Sequence, residues 1–426
     1  MTDRLPSAMA AAMDQPLEQK VRDRQSDGAP LRFGEFVALI AMMMALTALG
    51  IDSMLPALPA IGESLNVASE NDRQYVITAF LIGYSFAHLV YGPLSDRFGR
   101  KPILAIGLLG YALGNVAVAL STSFTMLLVA RFASGAAVAA ARVVTVAMVR
   151  DCYSGRAMAR VMSLAFILFM ATPVLAPSFG QAVLSLIGGW RLIFVGVTLI
   201  ALIAFGWFVL RMPETHPAEA RVSLNLATLR HRYGLVMRDR LAVGYTIAAT
   251  AMTGGLFGFI GSIQQIMADV FQRPTLLAVV FAAVAGTMSV ASFVNARIVM
   301  RVGTRRISHW ALAAMILFAA LHLLLALAGQ ESLWSFILLQ ALMMACFGLA
   351  NANFSAMAME NMGAIAGTAS SFQGFVMTLG GALGGAAIGQ AYNGTTVPLY
   401  TGFFLLGVGA MLAIAIAEKG RLFRPS

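Results

Sequence analysis

Charge is what this sequence has least of. Only 11% of its 426 residues are Asp, Glu, Lys or Arg, against roughly 25% in an ordinary soluble domain. A soluble protein of this length could not cover its surface with so few charges, which excludes water as its main solvent. Cysteine is nearly missing as well. Cys152 and Cys346 are the only two, which excludes a disulfide framework and leaves two reduced, structurally neutral thiols. No phosphate-cradling Gly/Lys loop, zinc-type Cys/His spacing or serine-nucleophile elbow occurs. With no recognisable ATPase, the energy source left is an ion gradient. No cofactor or metal site and no enzymatic chemistry are expected.

What fills the chain is apolar. Hydrophobic residues make up 59% of it, gathered in long runs such as Pro102 to Leu120 and Trp310 to Ala328. A bilayer core needs about 20 apolar residues per helix. Backbone polar groups cannot stay bare in hydrocarbon, so each run is expected to be a helix. A transmembrane barrel would show alternating segments of about 10 residues, and none are present. The runs predict an all-α membrane protein with twelve transmembrane helices, roughly at 35–59, 73–95, 102–121, 124–149, 161–186, 190–211, 241–268, 275–300, 307–328, 332–358, 364–391 and 398–417, with boundaries good to a few residues.

Basic residues orient the spans. Of the 29 Lys and Arg, only Arg73, Arg191 and Arg273 fall in loops on one side, and Arg131 and Arg142 fall inside a span. The other 24 share the side of the two termini, which is therefore expected to be cytoplasmic. The net charge of +10 needs no nucleic-acid partner; anionic lipid headgroups are the nearest one. Residues 1–33 are polar, lack a signal-peptide core and read as a disordered cytoplasmic tail. Residues 212–240 open with Pro213-Glu214-Thr215-His216-Pro217, which cannot continue a helix. They form a cytoplasmic linker between two six-helix bundles, 34–211 and 241–417, and 418–426 is a second tail. Basic residues follow the second span (Arg97, Arg100, Lys101) and its counterpart, the eighth (Arg301, Arg305, Arg306). This echo suggests an internal duplication.

The most specific motif is Gly92-Pro93-Leu94-Ser95-Asp96-Arg97-Phe98-Gly99-Arg100-Lys101-Pro102. Physically it is a tight turn, in which Gly92 and Gly99 permit close helix approach and Asp96 offers a charge to be held. At every fixed position it resembles the signature loop of the major facilitator superfamily. The resemblance implies that Asp96 latches the outward-facing state by engaging the start of the eleventh helix and a basic residue near the fourth, for which Arg150 is the match. Three further stretches resemble the drug:proton antiporters of the bicyclomycin/chloramphenicol-resistance group: Gly50 to Pro59, Val149 to Arg156 and Glu360 to Ser371. They follow in the family's order and span both halves. Glu360 enters the expected gate with them, together with Pro173 and Pro177 of the fifth span. Those prolines, in Ala171-Thr172-Pro173-Val174-Leu175-Ala176-Pro177-Ser178-Phe179-Gly180, resemble the antiporter motif of that helix. They bend it and let a partner approach, as does the Gly380-Gly381, Gly384-Gly385 and Gly389 face of the eleventh.

Charges inside spans carry the mechanism. Asp52 lies in an otherwise apolar helix, where such residues usually face a cavity and mark an ion pathway. Desolvation favours its protonated form and a nearby cation its ionised one. It reads as the proton-coupling residue, or as a structural hydrogen-bonding Asp. Some relatives carry a second acid two turns earlier, where this chain has Met42-Met43-Met44. Arg131 sits in a stretch resembling the family's R-x-x-Q-G motif, with Ser134 replacing the Gln. It is expected to pair with Asp52, to contact substrate, or to form a purely structural ion pair. Arg142 stands one turn before the place, here Val146, where relatives have an Arg. Two arginines on one cavity face would favour anionic ligands; pairing of Arg142 with Glu360 or a lipid headgroup is equally open. Tyr84, His88, Gln264, Gln265, Gln340 and Asn353 are the remaining cavity candidates, His88 doubling as a packing residue.

The resemblance thus implies two pseudo-symmetric six-helix bundles around a central cavity and a proton-coupled antiporter in the bacterial inner membrane. It would export small amphipathic compounds by alternating access, as a monomer. A metabolite transporter (an uptake symporter or a proton-independent exporter) and a non-transporting receptor are the alternatives.

Overall fold

The computed structural model describes residues 31–221 and 226–424. The expected disordered tail falls, in residues 1–30, outside the described residues. Twelve helices long and apolar enough to cross a membrane are present: α1 Phe33–Ser64, α2 Glu70–Phe98, α3 Arg100–Ala119, α4 Phe124–Cys152, α5 Gly155–Leu186, α6 Arg191–Arg211, α7 Arg240–Val270, α8 Pro274–Val302, α9 Thr304–Leu327, α10 Leu333–Ala358, α11 Ala366–Gln390 and α12 Val397–Ala417. All twelve expected spans are there. A connecting helix, Leu226–Arg238, lies between α6 and α7.

Local chemistry sets the helix ends. Ser123 caps α4 by accepting from the Met126 N–H, Asp239 caps α7, and Ser332 with Ser335 forms a capping box on α10. Gly99 and Gly303, at φ of 100° and 91°, turn the chain out of α2 and α8; L side chains rarely adopt that conformation. Two spans are broken where proline interrupts the ladder. Regular helix in α1 stops at Asp52 and resumes at Leu58 across Pro56. Helix α5 breaks between Phe169 and Thr172, just ahead of Pro173.

Packing repeats with a shift of six. Helix α1 packs on α4, α5 and α6, and α7 on α10, α11 and α12; the pairs α2–α4, α3–α4 and α3–α6 recur as α8–α10, α9–α10 and α9–α12. The chain is therefore two copies of one six-helix bundle, as in transporters built from parallel repeats. The bundles meet chiefly through α2 against α11 and α5 against α8. One end of the molecule carries the connecting helix and the described end of the C-terminal tail; it is called the terminal end below, and the opposite one the far end.

Candidate functional site

Helix α1 leaves one face partly exposed. Ala38, Met42, Ala45 and Leu49, spaced four, three and four residues apart, are partly exposed while most positions between them are buried. Such spacing keeps residues on one helix face. The next position on that row is Asp52, only 5% exposed. Among the described residues no hydrogen bond or ion pair holds its carboxylate. Just beyond it the helix breaks, and α5 presses so closely that a Cβ on Gly180 would overlap the Ser53 carbonyl.

Arg131 does not pair with Asp52, contrary to the sequence expectation. It is fully buried, and its guanidinium donates to the Gly50 carbonyl at 3.0 Å and the Val76 carbonyl at 3.1 Å. It lies over the Phe80 ring, 4.4 Å from the centroid, with Phe194 at 5.7 Å. The Gly50 carbonyl of α1, just ahead of the Pro56 break, and the Val76 carbonyl at the start of α2 take its donors instead. Arg131 thereby ties α4 to α1 and α2, and its Nη1 is left without a partner.

Nearer the terminal end, α2, α4 and α11 bring a second group together. Tyr84 and His88 meet edge to face with ring centroids 4.8 Å apart. The His88 ring lies against Gly374 of α11, where it leaves no room for a Cβ, and its Nε2 has no hydrogen-bond partner. Arg142, half-buried on α4, is close enough for its charge to act on both Tyr84 and His88.

A polar seal closes the far end. Gln74 donates to Gln265 at 2.5 Å and to the Gly389 carbonyl at 3.2 Å. Gln265 donates to Asn71 at 2.9 Å, and Asn71 donates to the Gln390 and Tyr392 carbonyls, while Gln390 donates back to the Asn71 carbonyl. Among the described residues, every side-chain hydrogen bond joining the two bundles lies in this seal. Gln265 thus belongs to the far-end closure and not to the cavity wall. Gln264 beside it is buried. Asn71, Gln74 and Gln390 were missed in the sequence because they sit at span ends, where polar residues are ordinary; only the fold brings them face to face.

Two other cavity candidates lie within the second bundle. Asn353 of α10 exchanges hydrogen bonds with Asn295 of α8 at 3.0 and 3.1 Å. Gln340 accepts from the Tyr400 hydroxyl at 3.2 Å and is wholly buried. Paired amides satisfy one another away from water, so Asn353 serves packing between helices, whereas the Gln340 Nε2 is buried without a hydrogen-bond partner.

At the terminal end the expected gate residues form a charge cluster with different partners. Arg100 donates to Asp96 at 2.5 Å, to Ser95 at 2.8 Å and to Asp151 at 2.9 Å. Arg150 is exposed; its neighbour Asp151 takes part instead. Glu214 of the linker accepts from the Arg100 and Lys101 backbone N–H groups. Arg97 lies over the adjacent Phe98 ring, and Gly92 faces Ser371 at the start of α11. The second bundle repeats the design. Arg305, two residues after Gly303, binds Glu360 at 2.6 Å and Glu418 at 2.7 Å, and Glu418 also accepts from Tyr245 at 2.6 Å. Glu360 therefore braces its own bundle and does not engage Arg142. Pro173 and Pro177 lie in the far half of α5, the half that packs on α8.

Known proteins place this architecture. The profile of the Major Facilitator Superfamily matches residues 40–385. The chain is 29% identical over 382 residues to a bicyclomycin resistance protein homolog of Haemophilus influenzae, covering 89% of this chain and 94% of that one. It is 30% identical over 395 residues to an uncharacterized MFS-type transporter of Bacillus subtilis, covering 90% and 95%. Its fold is similar to the xylose transporter XylE of E. coli in a partially occluded inward open conformation, with a TM-score of 0.70, 12% identity and coverage of 89% and 96%.

Proposed function

The chain belongs to the Major Facilitator Superfamily, and from that premise we propose that this membrane transporter exports small amphipathic organic compounds across the bacterial inner membrane in exchange for protons. Export of drug-like compounds is carried over from the bicyclomycin resistance relative, which matches nearly end to end. With 24 of 29 basic residues on the side of the termini, the terminal end faces the cytoplasm and the far-end seal faces outward. A molecule whose described side-chain hydrogen bonds between the bundles all lie on the outer side is ready to open and load from the cytoplasm.

The observation that carries proton coupling is Asp52. It is an unpartnered carboxylate on the cavity row of α1, directly beneath the outer seal. Holding it charged away from water is costly. When the seal parts, water reaches it and its charge becomes affordable; when the seal closes, a proton travels inward with it. Arg131 acts by holding the Gly50 carbonyl two residues away, which sets where the α1 break places Asp52. The Asp96 contact to α11 implied by the resemblance belongs to the opposite, outward-open state, in which the terminal end would close.

Proteoliposomes with an acidic lumen test this. With a panel of antibacterial compounds, wild-type protein is expected to release lumenal protons only when substrate is present, and Asp52→Asn to lose that release by tenfold or more. Compound movement without proton movement would mark a proton-independent exporter, and full coupling in the variant would remove Asp52 from the mechanism.

A further inference from the structure

Arg142 is a charge without a counterion inside a membrane span. It stands ten residues from the Cys152 end of α4, about 15 Å along the helix, inside the stretch that a ~30 Å bilayer core covers. An arginine inside a span is costly, and buried cations are normally paired. Among the described residues no Asp or Glu pairs with Arg142. Every described carboxylate except Asp52 lies near a span end or in a connecting segment. Asp52 stands 19 residues from the Phe33 end of α1, toward the far seal. Glu360, the partner a sequence reading would offer, is held by Arg305.

The surroundings of Arg142 supply donors and no competing acid. The Tyr84 hydroxyl and the His88 ring lie within reach of its charge. The His88 Nε2 is unpartnered, and its ring rests on Gly374 of the opposite bundle. A guanidinium offers only donors, and phenol and imidazole can each offer one. The cluster therefore lies at the seam that alternating access must open, and among the described residues no carboxylate faces it. A neutral ligand would satisfy hydrogen bonds but leave the positive charge bare. A carboxylate would do both, through a charge-assisted and bidentate contact.

We propose that Arg142, Tyr84 and His88 form an anion subsite, and that the preferred substrates are amphipathic organic acids whose carboxylate docks on Arg142. This rests on the transport reading above and narrows its substrate class. Arg131 is not part of this cluster: its guanidinium is fully buried against the Gly50 and Val76 carbonyls and the Phe80 ring. The selectivity belongs to one arginine, not to a pair.

A matched pair of ligands decides it: biphenyl-4-carboxylate and biphenyl-4-carboxamide, with the same apolar body and different charge. Binding is measured by titration calorimetry on the full chain in phosphatidylcholine nanodiscs. Wild type is expected to bind the carboxylate at least tenfold more tightly. Arg142→Gln should abolish the preference, Arg142→Lys should keep part of it, and the exposed Arg150→Gln should leave it intact. Monodisperse elution of each variant establishes folding, and the Lys variant serves where Gln fails to fold. Equal affinity, no binding of either ligand, or a preference surviving in Arg142→Gln overturns the proposal. Loss of the preference when phosphatidylglycerol replaces half the lipid overturns it in favour of a lipid headgroup. The transport reading is scored apart, by proton-coupled flux in wild type. Flux of the carboxamide without a carboxylate preference sinks the subsite alone, whereas a preference without flux of either compound sinks the transport reading and leaves the subsite standing.

Discussion

At the scale of single residues, burial of charge is handled in opposite ways at the two ends of the molecule. In the core, Arg131 is spread over carbonyls and aromatic faces, while Asp52 is left alone. At the terminal end, charges are paired in rows. Glu418 is the clearest case outside the membrane. Burial pushes its carboxyl up, but the Tyr245 hydroxyl and the Arg305 guanidinium outweigh that and hold it below the usual carboxylate range. A group with a lowered folded pKa stabilises the fold above its unfolded value and loses that contribution as pH falls through the folded one. The thermal midpoint in detergent should therefore drop as pH falls below about 4.5. Glu418→Gln should lower the neutral-pH midpoint, at a cost of about 1–3 kcal/mol, and flatten the acid dependence. An unchanged acid limb in the variant would assign that dependence to other carboxylates.

Among the elements, close approach is the theme. A Cβ on Gly83 would run into the Phe132 carbonyl, and one on Gly135 into the Phe80 carbonyl, so α2 and α4 meet backbone to backbone. The repeat places Gly348 of α10 against the Met288 carbonyl of α8 in the same pairing. Small residues at such crossings are how helices gain packing in lipid, where no hydrophobic force drives them together. Gly135→Ala should cost about 1–3 kcal/mol and reduce the monodisperse fraction on size exclusion. Gly286→Ala, whose Cβ would meet open space, should match wild type. Equal yields for both would show that α4 shifts freely. The prolines of α1 and α5 were readable as breaks from their chemistry alone, whereas the glycine crossings needed the partner helix to be seen.

For the whole molecule, the far-end seal sets which side is open. Gln74 contributes two hydrogen bonds across the bundles, each with a net worth of about 1 kcal/mol. Gln74→Ala should shift the balance between the two states about 5–30-fold toward far-end opening. Spin labels at Leu120 and Trp334, exposed at the far end of opposite bundles, placed in a background with Cys152 and Cys346 changed to Ser, would show a longer distance population. No change in that population would mean that α2–α11 and α5–α8 packing alone holds the seal.

Sequence alone determined the number of spans, the two-bundle plan and the family, because lipid forces every span into an apolar helix and the signature loop needs its residues at set positions. It also isolated Asp52, Arg131 and Arg142, since a charge in an apolar run is visible without coordinates. Tertiary structure decided their partners. Arg131 turned to carbonyls of α1 and α2, Asp96 to Arg100, Glu360 to Arg305, and Gln265 to a seal with residues nearly two hundred positions away. Side-chain pairing depends on which helices touch and at what depth, and in a bundle of similar apolar helices no local pattern encodes that.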